Sequence, residues 1–237
     1  MRINVFISSK GYCSRRQADR LILNGKVFIN GIQADIGQDA TENDEVIVNG
    51  ELISKKLDYI YLAFHKPKGI VSTTDETKKG NIISYLNYPE RIFPIGRLDK
   101  DSSGLILLTN DGQIVNPILR SEFNHEKEYI VFLDKEINSN FLSAMEKGVT
   151  IYNPVKNEYT LTKPTVIKQL SVDSFSIVLT QGLNLQIRRM VKSLGYQVRS
   201  LHRIRIMNIL LENLDVGKFR PLSFKEIEEL KNLIHIE

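Results

Sequence analysis

A single cysteine, Cys13, in 237 residues leaves the chain unable to close an internal disulfide and excludes a multi-thiolate zinc site. A reducing, cytoplasmic setting is the expectation that follows. The four histidines, His65, His125, His202 and His235, are scattered without ligand spacing, so no metal is implied. Long apolar runs are also missing. None approaches the roughly 18 residues that a spanning helix needs, and Arg2-Ile3-Asn4 opens the chain without the apolar core of a secretory signal. No membrane partner is expected. Internal repeats and low-complexity tracts are absent.

What remains is ordinary globular material. Charged residues are 25% and hydrophobic residues 42%, which argues against disorder over most of the length. The chain is long enough for one large domain and one small one. The net charge of +4 is modest, and its distribution says more. From Arg2 to Lys26 the bases are Arg2, Lys10, Arg15, Arg16, Arg20 and Lys26, against the single acid Asp19. From Ser174 to Leu211, Arg188, Arg189, Lys192, Arg199, Arg203 and Arg205 meet no acid at all. Two basic stripes of this kind suit a polyanionic partner.

Periodicity orders the first stretch as two helices followed by two hairpins. Ile3, Phe6 and Ile7 have helical spacing closed by Lys10-Gly11. Ser14 caps a second helix, with Gln17 placed to reach back in a capping box, and Asn24-Gly25 ends it. Asn30-Gly31 and Asn49-Gly50 each sit between short apolar runs, which predicts two tight hairpins. Ser54-Lys55-Lys56 then reads as a linker, placing domains at 1–56 and 57–237. In the second domain, Tyr61–Phe64, Ile70–Thr74, Leu105–Leu108, Glu128–Leu133 and Ser174–Leu179 read as strands. Gln186–Leu194 reads as a helix stopped by Gly195. A last helix starts at Ser223 with Glu226 as capping partner and is expected to bury Ile227, Leu230, Leu233 and Ile234. The fold class is α+β, a small helix-and-hairpin domain followed by a mixed, mainly antiparallel one.

Three separated strings carry the chemistry. The first runs from Gly96 to Gly112, where the polar loop Arg97-Leu98-Asp99-Lys100-Asp101 precedes the apolar run Leu105–Leu108 and the turn Asn110-Asp111-Gly112. A loop in front of a buried strand can aim an acid into a cleft from a rigid base. A lone loop Asp is usually just a solvated charge, so the weight lies in the whole string. The second is His125-Glu126-Lys127-Glu128-Tyr129-Ile130-Val131. The third is Gln181-Gly182-Leu183-Asn184-Leu185-Gln186-Ile187-Arg188-Arg189-Met190. Each alone says little, since strand tyrosines are usually core and paired helix arginines usually surface.

Together and in this order, the strings resemble the RsuA/RluB/RluE/RluF group of ribosomal RNA pseudouridine synthases. His125–Tyr129 and Gly182–Asn184 resemble the branch that acts on large-subunit ribosomal RNA. Ser14–Asp19 and Gly25–Gly31 resemble the alpha-L RNA-binding domain of a small-subunit ribosomal protein and of bacterial tyrosyl-tRNA synthetases. The resemblance implies an alpha-L domain ahead of a cofactor-free synthase domain acting on ribosomal RNA, with transfer RNA or small-subunit RNA as alternative substrates, in a monomeric enzyme. It implies Asp99 as the catalytic carboxylate, Tyr129 stacked on the uracil, and Arg188 paired with Asp99. Arg97 would fill the stack vacated by a flipped uridine. Lys10, Arg15, Arg16, Arg20, Lys26, Lys127, Arg189 and Lys192 would serve as RNA contacts. Leu185 departs from the family, which commonly has a basic or polar residue there. Leu201, Ile204 and Ile206 are open candidates for an apolar contact to the base. Whether Asp99 attacks the base, attacks the sugar or removes a sugar proton is likewise open.

Two other classes compete. A non-catalytic ribosome-assembly factor would need only the RNA-binding domain, and the presence of Asp99, Tyr129 and Arg188 together argues against it. A glycoside hydrolase would need a second acid opposite Asp99, for which Glu126 and Glu128 are candidates. The basic surroundings favour a polyanion over a neutral sugar.

Overall fold

The computed structural model describes residues 1–53 and 58–235, so the expected linker at Ser54-Lys55-Lys56 and the boundary after residue 56 lie outside the described residues. The chain forms two compact units. One takes the described residues of Met1–Ile60 together with Asn110–Gly112, and the other takes Tyr61–Thr109 and the chain from Gln113 onward.

In the first unit, α1 (Ile3–Ser9) and α2 (Arg15–Leu23) precede the strands β1 (Val27–Ile29), β2 (Ile32–Gln33), β3 (Val46–Val48) and β4 (Glu51–Leu52). The sheet is antiparallel in the order β2-β1-β3-β4. Both Asn-Gly pairs make the expected hairpins. Asn30 and Gly31 (φ 50° and 80°) and Asn49 and Gly50 (φ 51° and 84°) all take the left-handed conformation that a two-residue turn of this hand requires. Ile3, Phe6 and Ile7 from α1 meet Ala18 and Ile22 from α2 over Val27, Ile29, Val46 and Val48 in one apolar core. Ser14 Oγ accepts from Gln17 N at 3.2 Å, as the cap requires. The return bond from the Gln17 side chain does not form. That side chain is exposed, and exchanging water for one more hydrogen bond gains it little. Asn110, expected only to end a strand, accepts from Ile60 N at 2.8 Å and donates to Asp58 O at 2.9 Å, which groups its turn with this unit.

The second unit runs β5 (Tyr61–Lys66), α3 (Ile82–Leu86), β6 (Phe93–Ile95), β7 (Ser103–Thr109), α4 (Val115–Leu119), β8 (Lys127–Leu133), α5 (Ser139–Lys147), β9 (Thr150–Asn153), β10 (Glu158–Leu161), β11 (Val166–Gln169), β12 (Ser174–Leu179), α6 (Gln186–Ser193), β13 (Val198–Ile206), β14 (Ile209–Leu210), β15 (Phe219–Pro221) and α7 (Phe224–Leu233). Its main sheet has the order β11-β12-β8-β13-β7-β5-β15, with β14 on β13 and β6 on β7, while β9 and β10 form a separate hairpin. Every described pairing between strands is antiparallel except β13 with β7, which meet in parallel at His202↔Ser103 and Arg203↔Gly104. Gly104 makes that approach possible. Its φ is +113°, and a Cβ there would lie 2.2 Å from Arg203 O. Two apolar clusters cover the sheet. One joins Leu105 and Leu107 to Leu230 and Ile234, and the other joins Val131 and Phe175 to Phe141, Met190 and Val191.

Two expectations need correction here. Ile70–Thr74 is not a strand. Val71 makes only an isolated bridge to Asn81, because Val71 N bonds Gly80 O at 2.9 Å while Ser72 turns inward to Leu98. In the last helix Leu230 and Ile234 are buried and Ile227 is partly so, but Leu233 is 49% exposed. At about 100° per residue it falls at the edge of the face that the others share. No helix among the described residues is long and apolar enough to cross a membrane.

Candidate active site

The ends of β6 and β8, the segment entering α6, and the middle of β13 enclose a cleft of about 840 Å³. The Asp99 loop forms one wall, and its backbone is tied down at successive residues. Ser72 Oγ donates to Leu98 O at 2.7 Å and accepts from Leu98 N at 3.2 Å. Gly69 N donates to Lys100 O at 2.8 Å, and Ser102 N closes a turn onto Asp99 O at 3.1 Å. Lys66, wholly buried, points its ammonium at Pro67 O (2.9 Å), Ile70 O (2.8 Å) and, more distantly, Lys100 O (3.4 Å). Burial pushes that ammonium down to about 8, opposed by the negative charge of Asp99. Asp99 is half-buried and lines the cleft; Asp101, two residues on, is exposed and does not.

Arg188 reaches the same loop, but by a route the sequence did not indicate. Its Nη2 donates to Asp101 O at 3.1 Å and to Ser102 Oγ at 3.2 Å. Among the described residues no ion pair within 4 Å joins it to Asp99, so the expected salt bridge is replaced by a clamp on the next turn of backbone. The reason is local. A guanidinium offers several N–H donors, and the buried Ser102 with the Asp101 carbonyl supplies two acceptors to one nitrogen.

Tyr129 and Lys127 alternate along β8 and both face the cleft. Opposite Tyr129 in register stands Arg203 on β13, its guanidinium carbon 5.9 Å from the tyrosine ring centre. Lys127 Nζ donates to His125 O at 3.0 Å, and burial first, then the charge of Arg203, brings its ammonium down to about 8. Of the apolar candidates, Leu201 and Ile206 line the cleft and Ile204 does not. Leu185 also lines it, and its left-handed backbone (φ 52°) starts α6 without a side-chain cap.

The expected RNA contacts divide into free and engaged groups. Arg97 is exposed at the cleft, and Lys192 is exposed on α6; neither makes an ion pair among the described residues. Arg189 is tied up instead, donating to Tyr152 O at 2.7 Å and Asn184 Oδ1 at 2.8 Å. In the first unit Arg15, Arg16, Arg20 and Lys26 are exposed and free of ion pairs among the described residues. Lys10 differs: it pairs with Glu42 and lies 5.1 Å from the Phe6 ring centre, so its charge is already matched. Sequence reasoning missed Lys66, Ser72 and Arg203 as parts of the site. Nothing local marks Lys66 or Ser72, and Arg203 carried only the alternation of a strand whose neighbours were unknown.

Residues 60–193 match the model of the RNA pseudouridylate synthase family, and residues 1–46 match that of the S4 domain. The chain therefore belongs to the RNA pseudouridylate synthase family and carries an S4 domain ahead of the synthase domain. It is an enzyme that isomerises uridine in RNA to pseudouridine. Over 236 residues it is 47% identical to the dual-specificity RNA pseudouridine synthase RluF of Escherichia coli strain K12, covering 99% of this chain and 79% of that protein. It is 32% identical to the ribosomal large subunit pseudouridine synthase B of Bacillus subtilis, covering 98% and 96% respectively. A crystal structure of a pseudouridylate synthase superposes with a TM-score of 0.71 at 31% identity, over 97% of this chain and 99% of that one.

Proposed function

We propose that the chain converts a specific uridine of large-subunit ribosomal RNA to pseudouridine through Asp99, working as a monomer in the cytoplasm. The observation that carries the assignment is the meeting of three distant segments on one cleft: Asp99 in its pinned loop, Tyr129 on β8, and Arg188 at the start of α6. The reaction breaks the C1′–N1 bond, joins C1′ to C5, and moves one proton from C5 to N1, with no redox change. A carboxylate lining a cleft of this size suits it. Tyr129 supplies a ring face for the uracil, and Leu201 and Ile206 supply apolar walls. Arg188 is a positioning residue that fixes the backbone beside Asp99.

A uridine must leave its stack to enter, at a cost of a few kcal/mol. Arg97, exposed at the mouth, is placed to stack in the gap it leaves. The free cations Arg15, Arg16, Arg20 and Lys26 would hold phosphates of an RNA helix read by shape. A second class of RNA substrate is favoured by the name of the Escherichia coli relative, which specifies dual specificity, and transfer RNA is the class to test. Mapping pseudouridines in ribosomal and transfer RNA from cells with and without the gene tests this reading. A pseudouridine in large-subunit RNA should vanish with the gene and return with the wild-type protein. Unchanged large-subunit RNA would overturn the substrate assignment.

A further inference from the structure

Among the described residues, Arg203 is the one cation lining the cleft that is almost fully buried, at 4% exposure. Its Nε is firmly held, donating to Leu105 O at 2.7 Å. The rest of the guanidinium is poorly matched. Nη1 sits 3.5 Å from both Arg97 O and Tyr129 Oη, and the buried Nη2 has no hydrogen-bond partner among the described residues. No carboxylate lies within 4 Å of it among the described residues. An unpaired buried cation is expensive, so a fold that keeps one has a use for its charge.

Two backbone features place it. The register of β13 against β8 shifts between Arg203 and Arg205, and such a bulge re-aims side chains. Leu201 and Arg203 therefore face inward together, and the inward face resumes at Ile206 instead of Arg205. On the other flank, Gly104 leaves the space that β7 needs to pass beside Arg203. The effect of the charge is felt nearby, since it helps depress the Lys127 ammonium.

The anion that suits this position arrives with the substrate. Backbone phosphates belong at the exposed mouth, where Arg97 and Lys100 stand, whereas Arg203 lies deep, against the tyrosine ring. When the C1′–N1 bond breaks, its electron pair leaves with the base, and the negative charge spreads over N1, O2 and O4 of the ring. This is true of each route left open for Asp99. Asp99 is by then committed to its own new bond or proton and brings no positive charge to the departing base. We propose that Arg203 is a further catalytic residue, its weakly held guanidinium donating to a ring oxygen of the anionic uracil and holding the base while it turns to present C5. The charge is discharged when C5 bonds to C1′, the C5 proton is lost and N1 is protonated. This assignment rests on the isomerase reading above.

The test is single-turnover kinetics of the full-length wild type, Arg203→Gln and Arg203→Lys on RNA with uridine or 5-fluorouridine at the target, scored by nucleoside chromatography as loss of the starting nucleoside. Fluorine withdraws electrons and makes the base a better anionic leaving group. On uridine, Arg203→Gln should lower the rate by about 100- to 1,000-fold with RNA affinity nearly unchanged, the size expected for losing one preorganised donor. Arg203→Lys should recover part of the loss. On 5-fluorouridine the defect of Arg203→Gln relative to wild type should shrink by about tenfold or more, because the weaker anion needs less help. An equal defect on both bases, or no defect, overturns the proposal and leaves Arg203 a packing residue. If Arg203→Gln does not fold, the same comparison with Arg203→Lys decides the matter. A wild type that converts no uridine in any RNA would instead remove the isomerase reading itself.

Discussion

Asp99 and Asp101 stand two residues apart in one loop, yet only Asp99 lines the cleft. Asp99→Asn should abolish turnover, by on the order of a thousandfold or more, while leaving RNA affinity nearly unchanged, since the amide keeps size and hydrogen bonding but not nucleophilicity or basicity. Asp101→Asn should be mild. Rates measured side by side on one RNA fragment decide between them, and a dead Asp101→Asn with an active Asp99→Asn would reverse the assignment. Arg188→Met removes the clamp on Asp101 O and Ser102 Oγ, and a shift of about 1 Å in the Asp99 loop is worth roughly a hundredfold in kcat. Its KM should change far less, and an equal loss in both would point to RNA binding instead. At this scale the sequence displayed Asp99 plainly through the string around it. It could not display the partner of Arg188, which lies 87 residues away in the chain, or the burial of Arg203. In β13 the string Arg199, Leu201, Arg203, Arg205 looks like an ordinary strand. Only the bulge and the parallel neighbour decide which arginine turns inward.

Local signals with short-range mechanisms were the most legible elements. Asn-Gly turns set both hairpins of the first unit, and Ser223 with Glu226 set the start of α7. Ile70–Thr74 misled because β-branched composition alone does not supply a partner strand. The amphipathic α5, capped by Asn138 and buried through Phe141 and Met145, was not among the expected helices although its cap and spacing are both written in the sequence. The α7 cap makes its own prediction. Glu226 accepts both Arg220 Nη atoms (2.9 and 2.7 Å) and Ser223 N (2.8 Å), and the Arg220 bonds lead in drawing its carboxyl down to about 2. A carboxyl lowered in the folded state stabilises above its ordinary value of about 4.5 and loses that contribution as pH falls toward about 2. Glu226→Gln should therefore cost roughly 1–2 kcal/mol at pH 7, the scale of a lost cap and a charge-assisted pair. Denaturant midpoints of the two proteins should converge as pH drops through this window. A gap that persists undiminished at the acid end would assign the effect to packing.

At the scale of the whole chain, the proposed function divides RNA grip and chemistry between the two units. The free cations of the S4 unit, Arg15, Arg16, Arg20 and Lys26, are carried by α2 and the turn after it, while the cleft belongs entirely to the second unit. Replacing all four by Gln should weaken binding and flatten log affinity against log salt by about 0.7–0.9 for each phosphate no longer neutralised. Single-turnover rates at saturating RNA should stay close to wild type. Parallel salt lines of equal affinity would mean that the unit does not anchor RNA. Lys10, already paired with Glu42, should add little to that slope. The charge asymmetry behind this division was visible from sequence as two basic stretches, but which cations were spoken for was not, because Glu42 lies 32 residues from Lys10. The central claim is isomerisation of RNA uridine through Asp99, and the most direct measurement incubates purified wild type and Asp99→Asn with unmodified large-subunit ribosomal RNA, then maps pseudouridine and assays free uracil. The account predicts a discrete pseudouridine made by the wild type, none by the variant, and no uracil released by either. Pseudouridine formed equally by both proteins, or uracil released in place of pseudouridine, would contradict it.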